Sequence, residues 1–105
     1  MDTFDGLIER IDTWLTRHDM KSSSPYGWLL KLVEEVGELS GVFVKEKNRA
    51  EEEGELADVL ICLLIYAQCQ GINPLAVAHE KMSINESRTG RTNRHGVFVK
   101  TKDLQ

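Results

Sequence analysis

The chain has 105 residues and a mass of 11.9 kDa; 41% of the residues are hydrophobic, 29% are charged, and the formal net charge is −4. That is one domain of ordinary globular composition, with too few cysteines (two) for a disulfide scaffold. The longest apolar run, Val59 to Ala67, is too short to span a bilayer, and the acidic balance argues against general nucleic-acid binding. The opening segment MDTFDGLIER has no signal-peptide pattern, so a cytoplasmic location with no membrane partner is expected. So short a chain has a limited core of its own, which makes a homo-oligomer an early expectation.

Phe4, Leu7, Ile8, Ile11, Trp14 and Leu15 recur at helical spacing and predict a first helix over about 4–18, with Thr3 as N-cap. The polar stretch from Met20 to Ser24 breaks it. Ser24-Pro25 reads as an N-cap followed by proline at the first helical position, opening a second helix over about 25–46. Gly37 and Gly41 lie inside that helix. Glycine there costs about 1 kcal/mol relative to alanine, so close approach of a neighbour is the expected compensation. Lys47-Asn48-Arg49 reads as a short turn.

A third helix is expected from about Ala50, with Glu51, Glu52 and Glu53 in its first turn, where the helix dipole favours acids. It runs through VLICLLIYA to Gly71 as its C-cap. A helix apolar on every side predicts burial on every side, for which a partner chain is the expected cover. Cys62 and Cys69 read as small core residues. Asn73-Pro74 opens a fourth helix ending near Arg88. The tail 89–105 is polar and basic apart from Gly96 to Val99, which is either a strand or a docked extension. The expected fold is all-α: a single domain over 1–105, with a four-helix core over about 4–88.

Charge is unevenly spread. Residues 34–58 carry −6 and residues 81–105 carry +4. Solvated helix faces would account for both. Alternatively, the two segments serve one ligand that brings both a cation and phosphates. Glu35 and Glu38 are three apart on one helix, as are Glu55 and Asp58 on the next. Antiparallel packing would bring all four together, and four adjacent carboxylates repel unless a hard cation such as Mg²⁺ or Mn²⁺ neutralises them. No such spacing links His18, His79 and His95.

Glu34-Glu35-Val36-Gly37-Glu38-Leu39, then Glu55-Leu56-Ala57-Asp58-Val59-Leu60, then Lys81-Met82-Ser83-Ile84-Asn85 with Arg88, together resemble the MazG-type all-α nucleoside triphosphate pyrophosphohydrolases. The match covers roughly residues 24–99. The resemblance implies a compact four-helix bundle assembling as a dimer or a dimer of dimers. It also implies hydrolysis of a (deoxy)nucleoside triphosphate to monophosphate and pyrophosphate. Glu35, Glu38, Glu55 and Asp58 would bind Mg²⁺, with Mn²⁺ as a substitute. Glu34 would orient or deprotonate the attacking water; its plainer reading is a surface acid paired with a lysine. Lys81, Asn85 and Arg88 would bind substrate, the two cations on phosphate oxygens, while Arg91 and Arg94 fall in the tail. The pyrimidine-specific branch carries an aromatic late in helix two and a histidine before it, where this chain has Lys45 and Ser23. Trp14, Tyr26 and Trp28 are either base-stacking or core aromatics. Two rival readings stand beside this one: a phosphoribosyl-ATP pyrophosphohydrolase and a non-catalytic helical dimerisation module.

Overall fold

Four α-helices follow one another in the computed structural model, which describes residues 2–21 and 24–103; the Ser23 position lies outside them. They are α1 (Phe4–Arg17), α2 (Pro25–Val44), α3 (Arg49–Cys69) and α4 (Pro74–Glu86), each within a few residues of its expected span. Two short strands follow, β1 (Gly90–Thr92) and β2 (Phe98–Lys100). The strands qualify the all-α expectation, and the Gly96–Val99 run is the turn into β2 together with its first two residues. The chain divides into two compact units, Met1–Asn73 and Pro74–Gln105. Among the described residues no single helix is long and apolar enough to cross a membrane.

In the first unit the helix starts follow local chemistry. The Thr3 hydroxyl accepts from the Gly6 amide at 3.0 Å, and the Asn48 side chain accepts from the Glu51 amide at 2.9 Å. Ser24 has extended N-cap geometry but makes no side-chain cap bond, so Pro25 at the first helical position does more to start α2. All three helix ends share one device. The amides of Met20, Lys47 and Ile72 reach back to the carbonyls of Leu15, Val42 and Ala67 at 2.8–2.9 Å, across a left-handed residue. Only at α3 is that residue a glycine, Gly71 (φ +68°); the others are Asp19 and Glu46.

Leu15 and Ile65 are fully buried, and with Ile11 and Leu64 they form the centre where α1 packs on α3. Phe4, Leu7, Ile8, Trp28 and Ile61 surround it. Cys62 is buried as expected, and burial, then the charge of Glu35, pushes its thiol up. A side-chain bridge adds to this packing: Gln68 Nε2 donates to Asp12 Oδ1 at 3.0 Å, and Lys21 Nζ lies 2.8 Å from the same oxygen.

α2 and α3 pack along their length as a helical hairpin. Two expectations concern coverage by a neighbour. A Cβ added at Gly37 or Gly41 would meet nothing within 4 Å, so no neighbour within the chain approaches either glycine. And α3 is not covered all round by its own chain, as the expected partner cover requires: Leu56, Leu60 and Leu63 are 56, 41 and 43% exposed. The helices α1 and α2 can cover only part of its circumference.

The second unit is organised differently. α4 has no buried residue. β1 and β2 pair antiparallel with Arg91 opposite Val99. The turn between them is tied by Asn93, whose side-chain oxygen accepts from the amides of His95 (2.8 Å) and Val97 (3.1 Å). Gly90 is needed for close approach: a Cβ there would collide with the Val99 carbonyl oxygen and come within 2.6 Å of the Phe98 ring.

Candidate metal centre

The hairpin turn between α2 and α3 sets a register in which Glu35 faces Glu55 and Asp58. One carboxylate oxygen from each lies within 4.8 Å of the others. Glu35 is the most sequestered, its side chain 13% exposed. Glu55 is half-buried and Asp58 exposed. Glu38, one turn beyond Glu35, is exposed and does not join this group. Of the four expected ligands the structure thus brings three together, with Glu38 one turn further along α2 and outside them.

Glu34 is also exposed and outside the triad. Its carboxylate lies 3.2 Å from Lys31 Nζ, the pairing that the plainer reading of this residue anticipates. The same ammonium lies 3.3 Å from Glu35 Oε1. Those two carboxylates, Glu34 first, hold the Lys31 ammonium above the usual lysine range. Lys31 thus touches both the outlying acid and the triad, a role the motif reading missed. Its signal was legible, since Lys31 stands three and four residues before Glu34 and Glu35.

The donor set fits a hard divalent cation: three carboxylates from two rigid helices, converging without a soft ligand between them. Asp58 also lines an open groove of about 670 Å³ where α1 runs beside α3. Arg10, Thr13, Trp14 and Arg17 line the same groove. Trp14 is 41% exposed, with its ring 5.3 Å from that of His18, so it is not the core aromatic that its spacing allowed. Trp28 is packed against the core, and Tyr26 is 70% exposed.

Lys81, Asn85 and Arg88 belong to the second unit. Lys81 is exposed, and Arg88 Nη1 donates to the Asn85 side-chain oxygen at 3.0 Å. Within that unit the motif's asparagine and arginine are thus already paired. In the β-hairpin, Arg91 and Arg94 are exposed, and Arg94 Nε donates to His95 Nε2 at 3.2 Å.

A helical hairpin thus brings three carboxylates to one point, beside a groove carrying cations and an aromatic. No family model matches the chain. It is 37% identical over 65 residues to a curated dATP/dGTP diphosphohydrolase of cyanophage S-2L. That match takes in 62% of this chain and only 57% of the relative's length. Among solved structures it is similar to the cyanophage S-2L MazG-like pyrophosphohydrolase bound to dGDP and three catalytic Mn²⁺ ions per active site. There the TM-score is 0.72 at 28% identity, covering 95% of this chain and 98% of the other. The chain is thus similar over 65 residues in sequence to the first of these proteins, and in fold to the second.

Proposed function

We propose that this chain is a metal-dependent pyrophosphohydrolase that converts a deoxynucleoside triphosphate to its monophosphate and pyrophosphate. The convergence of Glu35, Glu55 and Asp58 carries the reading. The similarity to a MazG-like pyrophosphohydrolase with Mn²⁺ and dGDP supports it. The relative named for dATP and dGTP makes purine nucleotides the first substrates to test.

In this reading Glu35, Glu55 and Asp58 would hold Mg²⁺ or Mn²⁺, with Glu38 on the same helix as Glu35 as a further candidate ligand. The bound cation supplies charge dispersal on the triphosphate and a lowered pKa of its water. Glu34, held by Lys31 beside the triad, accepts the proton of the water that attacks the α-phosphorus, and pyrophosphate leaves. Arg10 and Arg17 in the groove are suited to phosphate oxygens. In the second unit Lys81 and Asn85 on α4, with Arg88 just beyond its end, are suited to phosphate oxygens and sugar. Trp14 offers a stacking face for a base.

The assay is pyrophosphate release from a panel of deoxynucleoside triphosphates and from phosphoribosyl-ATP, with Mg²⁺ or Mn²⁺. The expected products are a nucleoside monophosphate and pyrophosphate, without free orthophosphate. No pyrophosphate from any substrate with either metal would remove the reading and favour a non-catalytic module.

The working unit in this proposal is a homodimer or a dimer of dimers. Its support is the apolar surface left open on the hairpin: Leu30, Val33, Phe43 and Val44 of α2, with Leu56 and Leu63 of α3, are 43–89% exposed. Light scattering at micromolar concentration should give at least twice the chain mass, and a monomer would contradict it.

A further inference from the structure

We propose that Lys31 is a built-in counter-ion of the carboxylate triad, which a divalent cation must displace from Glu35 in order to bind. This inference rests on the metal-dependent reading of the same site. Lys31 Nζ lies 3.3 Å from Glu35 Oε1 and 3.2 Å from Glu34 Oε1, so one ammonium bridges a triad member and an acid outside it. Among the described residues, no other cation is ion-paired with Glu35, Glu55 or Asp58. Three carboxylates this close repel one another. A single ammonium relieves part of that repulsion and leaves the cluster net negative, open to a stronger cation.

The bridge also gives the lysine somewhere to go. When Glu35 turns to a metal, Lys31 keeps its bond to Glu34 and needs only to swing its flexible stem away from the triad. Lys31 therefore sets how tightly the site binds metal, and it relieves repulsion among the acids of the metal-free hairpin. Glu34 is the residue that keeps the displaced ammonium nearby. Lysine suits this exchange better than arginine, whose planar fork can grip a carboxylate with two bonds and would be harder to displace.

Titration of the full-length chain with Mn²⁺ alone, read by the electron paramagnetic resonance signal of the free ion, tests the proposal without any substrate. The proteins are the wild type, Lys31→Met, Lys31→Gln, Lys31→Arg and Lys47→Met. Lys47 pairs with Glu51 near the turn end of the hairpin, so its removal deletes the same charge away from the triad. Lys31→Met and Lys31→Gln should bind Mn²⁺ about tenfold more tightly than wild type, since one nearby positive charge has been removed. Lys31→Arg should bind more weakly, and Lys47→Met within about twofold of wild type. Without metal, both neutral Lys31 variants should melt below wild type, and Mn²⁺ should close the gap. Circular dichroism checks that each variant is folded, and either neutral variant alone suffices. Equal affinity in the wild type and the neutral Lys31 variants overturns the counter-ion role while leaving the metal site standing. An equal gain in Lys47→Met overturns it too, by reducing the effect to bulk charge. Absence of Mn²⁺ binding in every protein, wild type included, removes the metal reading and this inference with it.

Discussion

The acidic hairpin of α2 and α3 and the basic segment that follows it use charge in different ways. In the hairpin, acids from two helices are brought to one point, with carboxylate oxygens within 4.8 Å of one another and a lysine drawn in against them. In the second unit the cations are spread along α4 and the β-hairpin, and Arg88 and Arg94 each bond to a neighbour close in sequence. Long helices fix where a side chain points over several turns; a two-stranded ribbon of three-residue strands fixes mainly its own backbone. The acids are therefore a preassembled site. The cations are groups on a frame, suited to a ligand that brings its own negative charge.

Substitution within the triad should have the largest effect. Glu35→Gln and Asp58→Asn should each lower metal-dependent pyrophosphate release by at least about 100-fold while leaving the helical signal unchanged, because each removes a charged ligand worth several kcal/mol at a metal site. Glu38→Gln should also lose activity but weaken Mn²⁺ binding less than Glu35→Gln, since Glu38 stands outside the triad. Equal losses of metal affinity in the two would show that the structure understates Glu38. Wild-type turnover in Asp58→Asn would break the contrast between a built acidic site and a loose basic one.

The basic segment can be broken through its backbone. Gly90→Ala places a methyl group against the Val99 carbonyl oxygen, which cannot move without parting the strands. The expected result is a cost of about 1–3 kcal/mol within the ribbon. Hydrogen exchange should show lost protection at the amide of Thr101, which bonds to the Thr89 carbonyl, and at Asn93, which bonds to Val97. The exchange of α1 and α3 should stay the same. If their protection fell equally, the second unit would not be structurally separate from the core.

Periodicity and caps carried most of the fold. Apolar spacing located the four helices, and Pro25, Asn73-Pro74 and Gly71 marked their ends, because these signals depend only on the local chain. The pairing of Glu35 with Glu55 and Asp58 was also legible, since two three-residue steps joined by a short turn leave few registers. What escaped was whatever depends on side-chain direction or on coverage from outside. Glu38 shares a face with Glu35 by spacing, yet it stands outside the group that the packing of α2 on α3 brings together. The spacing of Lys31 was legible but its contact with the triad was not, because a lysine one turn before two glutamates looks like any surface pair. The glycines Gly37 and Gly41 suggested a close neighbour that the single chain does not provide. The groove on α1 was not foreseen, because its lining residues carry no motif.

The helix ends offer a smaller test of how firmly the acidic hairpin is held. Glu46 occupies a left-handed position (φ 51°) at the end of α2, immediately before the turn that sets the register of the triad. An L-residue with a Cβ costs roughly 1–2 kcal/mol there relative to glycine. Glu46→Gly should therefore raise stability by about 1 kcal/mol, less than the full penalty because glycine also gains freedom in the unfolded chain. Gly71→Ala, at the equivalent position of α3, should lower it by a similar amount. Urea denaturation reads both, and a destabilised Glu46→Gly would mean that this side chain supports the turn in some further way.

The smallest expected effect concerns an acid that serves packing rather than the site. Asp12 accepts from Gln68 and pairs with Lys21, and the Lys21 ammonium holds its carboxyl below the usual value of 3.8 despite some opposing desolvation. A carboxyl whose pKa is depressed on folding adds stability above its unfolded pKa and loses that contribution as the pH falls through the folded value. Asp12→Asn can still accept from Gln68 but cannot pair with Lys21 as a charge. The melting-temperature gap between wild type and Asp12→Asn should therefore be constant from neutral pH down to about 5, narrow below 3.8, and close in stronger acid. Because the pair is exposed, added salt should shrink the gap at neutral pH. A gap that persists in strong acid would assign the effect to the geometry of the Gln68 bond, and the bridge from α1 to α3 would then rest on a hydrogen bond rather than on charge.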